Sequence, residues 1–205
     1  MAMPRLTGLR SCLPWLVSAT CVLVPAAAAA AVQAPPEYSK CVTCHGQNGD
    51  SADRTIPRLN GQQELYLADR LRSFRNPTRQ TPNAIHFMWS VSSSLSNRVA
   101  QEMAKYLADQ APAPAPPISS ALAEQGRKIF DLQGQSGTLA CQSCHGPQGE
   151  GRLGVPRLAG QHGQYLRRQM EGFSIMARLS GAMNPHTRML EPDQIKALVA
   201  YLAKD

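Results

Sequence analysis

The chain contains the same module twice, and this repeat constrains its fold more than any other feature. Residues 41–46 read CVTCHG and residues 141–146 read CQSCHG. A second matched segment follows each, PRLNGQ at 57–62 and PRLAGQ at 156–161. Further pairs keep the same order: Tyr66-Leu67 with Tyr165-Leu166, Phe74 with Phe173, Met88 with Met183, Leu95 with Leu190, and a Tyr-Leu-Ala at 106–108 with another at 201–203. The sequence therefore predicts two copies of one structural unit.

The segment between the copies reads APAPAPP, at residues 111–117. Alternating Ala and Pro favours an extended, semi-rigid spacer without a core of its own. This gives a first domain at residues 35–110, a linker at 111–117 and a second domain at 118–205.

Apolar residues recur at helical spacing in both copies, and no segment alternates well enough to predict a strand. The stripes are Leu67, Leu71 and Phe74; Leu166, Met170 and Phe173; Val99, Met103, Tyr106 and Leu107; and Ile195, Leu198, Val199 and Leu202. Residues 119–130 predict a leading helix for the second copy, whereas the first copy has almost nothing before Cys41. The predicted class is all-α, with a few helices in each domain.

The first 34 residues read as an export signal that is removed. Arg5 and Arg10 give a basic start, an apolar stretch runs from residue 13 to 24, and alanines fill positions 26–31. This stretch is too short and too interrupted by proline for a good membrane span. A retained N-terminal anchor is the alternative.

Composition narrows the functional classes. The net charge is +7, and it falls to +5 without Arg5 and Arg10. Basic and acidic residues are mixed along the chain, with no basic stripe interleaved with aromatics, so nucleic acid is not an expected partner. Aromatic residues make up only 5% of the chain. Two small cores would be thin on that supply, and a covalently held apolar group would fill them.

The Cys-x-x-Cys-His segments can supply such a group. Two thiols three residues apart can form thioethers with the two vinyl groups of one haem, and the adjacent histidine can then ligate the iron. The sequence predicts one haem c on Cys41 and Cys44 with His45 as axial ligand. It predicts a second on Cys141 and Cys144 with His145.

Three other uses of the cysteines are weaker. A redox dithiol needs a thioredoxin-like βαβ context, and none is predicted. A structural zinc site usually brings its second cysteine pair much nearer than the 96 residues between Cys44 and Cys141. A disulfide across either pair would not explain the histidine that follows.

Each iron needs a sixth ligand from farther along the chain. Met88 and Met183 are the candidates, because they match between the copies and a thioether is the partner of histidine in high-potential haems. Methionine is more often core filler, which fits Met103 and Met170 on their apolar stripes. His86, His162 and His186 have no counterpart in the other copy, and His86, two residues from Met88, is the alternative ligand of the first iron.

These motifs resemble the dihaem cytochrome c4 family over nearly all of the chain after the signal. The resemblance rests on the paired CxxCHG, the P-x-L-x-G-Q segments, the Tyr-Leu helices and a Met before each C-terminal helix. It implies two cytochrome c domains facing each other and a periplasmic electron relay, often toward a terminal oxidase. It also implies that the carbonyls of Pro57 and Pro156 back the haem-ligating histidines. The short segment before Cys41 and the serine-rich stretch after Met88 depart from the family pattern.

Two functions from different classes remain. The first is an electron carrier, not an enzyme, with two six-coordinate irons. Its donor would be a membrane quinol-oxidising complex or a dehydrogenase, its acceptor a terminal oxidase, and peripheral membrane association is compatible with it. The second is a dihaem oxidoreductase or the electron-transfer subunit of a periplasmic dehydrogenase. An enzyme would need an open iron position and nearby acid-base groups. The residues supply no such cluster, which favours the carrier.

Overall fold

The structure, a computed structural model, describes residues 33–75, 81–82, 84–132 and 139–204. The helices in this part of the chain are α1 (Ser39–His45), α2 (Glu64–Ser73), α3 (Trp89–Ser93), α4 (Asn97–Ala108), α5 (Ala121–Asp131), α6 (Cys141–His145), α7 (Gly163–Ser174), α8 (Met183–Arg188) and α9 (Pro192–Leu202). A 3-10 turn spans Pro36–Tyr38, and a π-helical turn spans Ala84–Met88. Among the described residues, the β structure is limited to isolated bridges, which confirms the all-α prediction.

The predicted signal peptide lies outside the described residues, apart from its last two positions. Among the helices that are described, none has both the length and the apolarity needed to cross a membrane.

The predicted apolar stripes lie on α2, α4, α7 and α9, except that Phe74 is the C-cap residue of α2. Side chains cap the helices that pack most extensively. Ser96 accepts a hydrogen bond from the Val99 amide at the start of α4, and Glu191 forms a capping box with Gln194 at the start of α9. The leading helix of the second copy begins at Ala121, two residues later than predicted, because Ser120 serves as its N-cap.

Each copy builds a small core from these stripes. In the first copy α2 packs on α4, and in the second α7 and α5 both pack on α9. The buried members of the first core are Tyr38, Leu67, Ala68, Ala104, Tyr106 and Leu107, and those of the second are Phe130, Leu166, Leu198 and Leu202. Met170 packs against the second core, and Met103, which is 1% exposed, lies in a further buried cluster with Leu95 and Val99, as predicted for core methionines.

The two copies differ in what precedes the first cysteine. In the second copy α5 lies so close to α9 that a Cβ on Gly126 would fall 1.9 Å from the Ala197 carbonyl oxygen. In the described part of the first copy, the 3-10 turn and the start of α1 precede the first cysteine. Its Tyr38 nevertheless packs on Tyr106 with ring centroids 5.0 Å apart, much as Phe130 packs on Tyr201 at 5.4 Å. Each copy therefore packs a buried aromatic ring against a tyrosine of its last helix.

A matching pair of backbone hydrogen bonds fixes the loop after each Cys-x-x-Cys-His motif. The Gly61 amide donates to the Leu107 carbonyl at 2.8 Å, and the Gly160 amide donates to the Leu202 carbonyl at 2.9 Å. In both copies the P-R-L-x-G-Q segment is thus tied to the C-terminal end of the last helix.

The Ala/Pro segment has no regular secondary structure over residues 111–119, but it does not stand free of the rest. The Asn60 amide donates to the Ala111 carbonyl at 2.8 Å, and the Arg157 guanidinium donates to the Ala113 carbonyl at 3.3 Å. The linker therefore contacts both copies and lies along the interface between them, which is called the seam below.

Tyr38 gives a direct test of how the first copy is stabilised. Tyr38 is 1% exposed, and its hydroxyl donates to the Gly46 carbonyl at 2.8 Å. We expect Tyr38→Ala to lower the free energy of unfolding by about 3–5 kcal/mol through the lost aromatic packing. Tyr38→Phe should cost only about 1 kcal/mol for the lost hydrogen bond. Guanidinium unfolding of the holoprotein, followed by circular dichroism, measures both.

Phe130→Ala is the matched variant in the second copy, where Phe130 is 0% exposed. It should cost as much as Tyr38→Ala. A loss below about 1 kcal/mol for Tyr38→Ala would show that the segment before Cys41 is not part of the first core.

Candidate haem sites

Each Cys-x-x-Cys-His motif forms a short helix that ends at the glycine after the histidine. Gly46 caps α1 with φ of 78°, and Gly146 caps α6 with φ of 81°. A Cβ at Gly46 would lie 2.5 Å from the Asp50 carbonyl oxygen. These positions need glycine, because the chain turns back sharply toward the proline that faces each histidine.

The two histidines are held in the same way. The Nδ1 of His45 lies 3.0 Å from the Pro57 carbonyl oxygen, and the Nδ1 of His145 lies 2.9 Å from that of Pro156. A carbonyl oxygen can only accept, so Nδ1 carries the proton and Nε2 presents a lone pair. This is the tautomer and orientation that an iron ligand requires.

Burial keeps both imidazoles neutral. His45 is 7% exposed and His145 is 6% exposed. Desolvation lowers the pKa of each below its ordinary value, although the hydrogen bond to the proline carbonyl opposes the shift. The neutral form is the one that can donate its lone pair to a metal.

The cysteines are arranged with one inner and one outer thiol in each motif. Cys41 and Cys141 are partly buried, whereas Cys44 and Cys144 are exposed, and all four are free of disulfides. Cys41 packs against the cluster that contains Leu95, and burial raises its pKa to about 11. A disulfide across the pairs, one of the alternatives from the sequence, is therefore not what the structure contains.

The two predicted methionine ligands lie in different local structures. Met88 is the last residue of the π-helical turn, whereas Met183 begins α8. Both side chains are partly exposed, unlike the core methionine Met103. A π-helical turn is a local insertion that often marks a functional site. Met88 and Met183 therefore differ in the local backbone structure that holds them.

The three unmatched histidines are engaged or exposed. His162 is 2% exposed, and its Nε2 lies 2.8 Å from the Ser51 carbonyl oxygen in the other copy. The Nδ1 of His186 lies 2.7 Å from the Ala182 carbonyl oxygen. The ring of His86 is exposed beside that of Phe87. His162 therefore bridges the copies, and His86 keeps its place as the alternative to Met88.

A buried arginine at the seam fits an anionic group. Arg178 is 5% exposed, and its guanidinium donates to the Tyr66 hydroxyl of the first copy at 2.9 Å and to the Gln169 side chain at 2.7 Å. Its Nε has no hydrogen-bond partner among the described residues. A buried cation with a spare donor suits a carboxylate, and haem brings two propionates, so the residues present fit the cofactor.

Large exposed apolar side chains also fit a haem. Phe87 is 60% exposed in the first copy, and Ile175 and Leu179 are 74% and 54% exposed in the second. These residues lie near the predicted methionine ligands in sequence. A large apolar plate such as haem would cover surface of this kind.

The P-R-L-x-G-Q segments of the two copies pair with each other across the seam. The Arg58 amide donates to the Gln161 side-chain oxygen at 2.8 Å, and the Gln161 side-chain nitrogen donates to the Arg58 carbonyl at 2.9 Å. The Arg157 amide and carbonyl make the same two bonds with Gln62, at 2.7 and 3.0 Å. The sequence alone marks these glutamines only as landmarks of the repeat. Their presence at the same position in both copies is the one signal of a shared role.

The comparisons with known proteins agree with this architecture. A family model described as cytochrome c matches residues 123–204. The chain is 33% identical to cytochrome c-552 of Acidithiobacillus ferridurans over 92% of this chain and 86% of the relative. It is 30% identical to cytochrome c4 of Azotobacter vinelandii, over 79% and 82%. It is also 34% identical to a thiosulfate dehydrogenase electron acceptor of Thiomonas intermedia, over 87% and 84%.

Solved structures of cytochrome c4 proteins also resemble this chain. The cytochrome c4 of Acidithiobacillus ferrooxidans superposes with a TM-score of 0.73 at 34% identity, covering 80% of this chain and 98% of that one. The chain belongs to the dihaem cytochrome c4 family. A thiosulfate dehydrogenase from Marichromatium purpuratum matches with a TM-score of 0.67 at 29% identity, over 79% of this chain and 35% of that one.

Membership of this family settles the cofactor and the general function. The chain is a dihaem c-type cytochrome that carries electrons, with covalently bound haem c, and the two Cys-x-x-Cys-His motifs fit that cofactor. Redox proteins are its partners.

Removing one cysteine pair should remove one haem and leave the other. We expect the Cys41→Ala/Cys44→Ala protein and the Cys141→Ala/Cys144→Ala protein each to carry a single covalent haem, because thioethers alone survive denaturation. Intact-mass spectrometry after acid denaturation counts the haems, with the unmodified chain carrying two. Loss of both haems from either variant would mean that the second attachment depends on the first.

Proposed function

We propose that residues 35–110 and 118–205 are two electron-transfer domains, each with one haem c. Cys41 and Cys44 attach the first haem, with His45 and Met88 as axial ligands. The second haem is attached by Cys141 and Cys144, with His145 and Met183 as its ligands. The hydrogen bond from each Nδ1 to a proline carbonyl is the observation that carries this assignment, because it leaves Nε2 free to ligate in both copies.

The bound haem supplies an iron that gains and loses one electron. The axial ligands that the chain supplies set the potential at which this electron is exchanged. A neutral histidine and a thioether together favour the ferrous form and raise the reduction potential. Two strong-field ligands also leave no position open for a substrate, which supports a carrier over an enzyme.

The site of action that best fits these features is the periplasm, after cleavage of the signal at residues 1–34. The donor is then a membrane quinol-oxidising complex or a dehydrogenase, and the acceptor a terminal oxidase. The mixed surface charge supports short-lived contacts with such partners more than strong electrostatic steering. Peripheral association with a membrane is compatible with this role.

A second candidate function is acceptance of electrons from a thiosulfate-oxidising dehydrogenase. Two relatives are named thiosulfate dehydrogenase electron acceptors, and a thiosulfate dehydrogenase structure shares the fold. In this role the chain is the electron-transfer partner of an enzyme that holds the substrate site itself.

The axial methionines can be tested by absorption spectroscopy. An oxidised His/Met haem has a weak far-red band that arises from the iron–sulfur bond. We expect Met88→Ala and Met183→Ala each to remove about half of this band, and the double variant to remove all of it. Met103→Ala is the control, because Met103 is buried in the core and should leave the band intact.

If Met88→Ala leaves the band unchanged while Met183→Ala abolishes it, His86 is the ligand of the first iron. High-spin haem that binds cyanide in the unmodified protein would contradict the carrier function altogether.

Rapid mixing can distinguish a thiosulfate dehydrogenase from a quinol-linked complex as the electron donor. If the second candidate function is correct, a catalytic thiosulfate dehydrogenase supplied with thiosulfate should reduce both haems of this protein rapidly. The rate should be at least tenfold higher than for a monohaem cytochrome c at equal concentration. Stopped-flow absorbance in the α-band gives the rates. Reduction no faster than that of the monohaem control would leave the quinol-linked donor as the proposed one.

A further inference from the structure

The peptide behind each haem-ligating histidine belongs to two hydrogen bonds at once. In the first copy, the carbonyl of the Pro57–Arg58 peptide accepts from His45, and the N–H of the same peptide donates to Gln161 of the second copy. In the second copy, the Pro156–Arg157 peptide links His145 to Gln62 of the first. A single amide therefore separates each histidine from the other domain.

The glutamines are fixed in the orientation that this contact needs. Gln62 is 7% exposed and Gln161 is 6% exposed. Each amide nitrogen faces a backbone carbonyl and each amide oxygen faces a backbone N–H, so neither side chain can flip without losing both bonds. Each oxygen also accepts from a second backbone amide, that of the next residue, Gln63 or His162.

An amide that donates through its N–H becomes a better acceptor at its oxygen, because hydrogen bonds in a chain polarise one another. A stronger acceptor at the proline oxygen draws the Nδ1 proton away from the ring and makes the imidazole a more basic ligand. A more basic ligand stabilises the ferric state and lowers the reduction potential of that haem.

We propose that Gln161 tunes the potential of the first haem and Gln62 tunes that of the second, each across the domain interface. The glutamines are positioning residues that act through the backbone and touch neither iron. This inference rests on the proposed ligation by His45 and His145. It makes the potential of each haem a property of the docked pair of domains.

The test replaces each acceptor by a side chain of similar shape. Gln161→Met should raise the potential of the first haem and leave the second unchanged, and Gln62→Met should do the reverse. We expect about a threefold change in the equilibrium constant for reduction, which is about 28 mV at 59 mV per tenfold for one electron. Potentiometric titration measures both haems, and a Met183→His background, which lowers the second potential, assigns the first.

Two further variants separate tuning from simple loosening of the interface. Gln63→Met is the matched control, because Gln63 also makes one bond across the seam, to the Glu150 carbonyl at 3.1 Å, but not to a peptide behind a histidine. It should shift neither potential selectively. Gln161→Glu keeps an acceptor for the Arg58 amide and should bring the first potential back to the original value or below it. It also serves as the test if Gln161→Met does not fold.

A second measurement follows the histidine itself. In the ferrous protein, the ¹⁵N chemical shift of the His45 Nδ1–H should move toward that of a weaker hydrogen bond in Gln161→Met and stay constant in Gln63→Met. Equal shifts of both haems, a shift confined to the glutamine's own domain, or an effect of Gln63→Met as large as that of Gln161→Met would overturn the inference. Failure of the unmodified protein to show two low-spin His/Met haems would instead refute the ligand assignment on which it rests.

Discussion

The rest of the structure depends on one peptide group in each copy, the one that follows Pro57 or Pro156. Its carbonyl fixes the tautomer and the direction of the histidine in the Cys-x-x-Cys-His helix. Its N–H and the next carbonyl pair with a glutamine of the other copy. The same short loop therefore orients the proposed histidine ligand and holds the two copies together. Loop backbone can serve in this way because its amide groups are not used up by helix formation.

The copies share the same backbone hydrogen bonds but differ in the elements that pack around them. The second copy packs a full helix, α5, closely on α9, and in the described part of the first copy Tyr38 packs on α4 through Tyr106. The segments that present the methionines differ as well, with a π-helical turn before Met88 and the start of an α-helix at Met183. Two haems in such unequal surroundings would differ in potential, since burial, hydrogen bonding and ligand geometry all contribute to it. Unequal potentials give an electron relay a preferred direction.

The seam between the copies is polar, and polar contacts of this kind demand good geometry. Gln62, Gln161, His162 and Arg178 are all buried there and all bond to the opposite copy. A buried polar group left without its partner costs more than its hydrogen bond contributes, so the interface tolerates few other arrangements. The linker, which also bonds to both copies, limits the relative motion further.

Much of this protein follows from its sequence alone. The repeat, the two Cys-x-x-Cys-His motifs, the four apolar stripes and the all-α class all depend on residues close together along the chain. Local spacing determines them, because helix periodicity and the reach of two thiols to one haem are short-range properties. The identity of the core methionines, Met103 and Met170, followed from the same periodicity.

Only the tertiary structure decided the features that join distant residues. The bond from Gln161 to Arg58 spans 103 positions, and no periodicity within either copy specifies it. The burial of Tyr38, the placing of the linker along the seam and the hydrogen bond from Arg178 to Tyr66 likewise arise from packing between segments that are far apart in the chain. Such contacts depend on how two folded units meet, and that is fixed by the shape and polarity of whole surfaces.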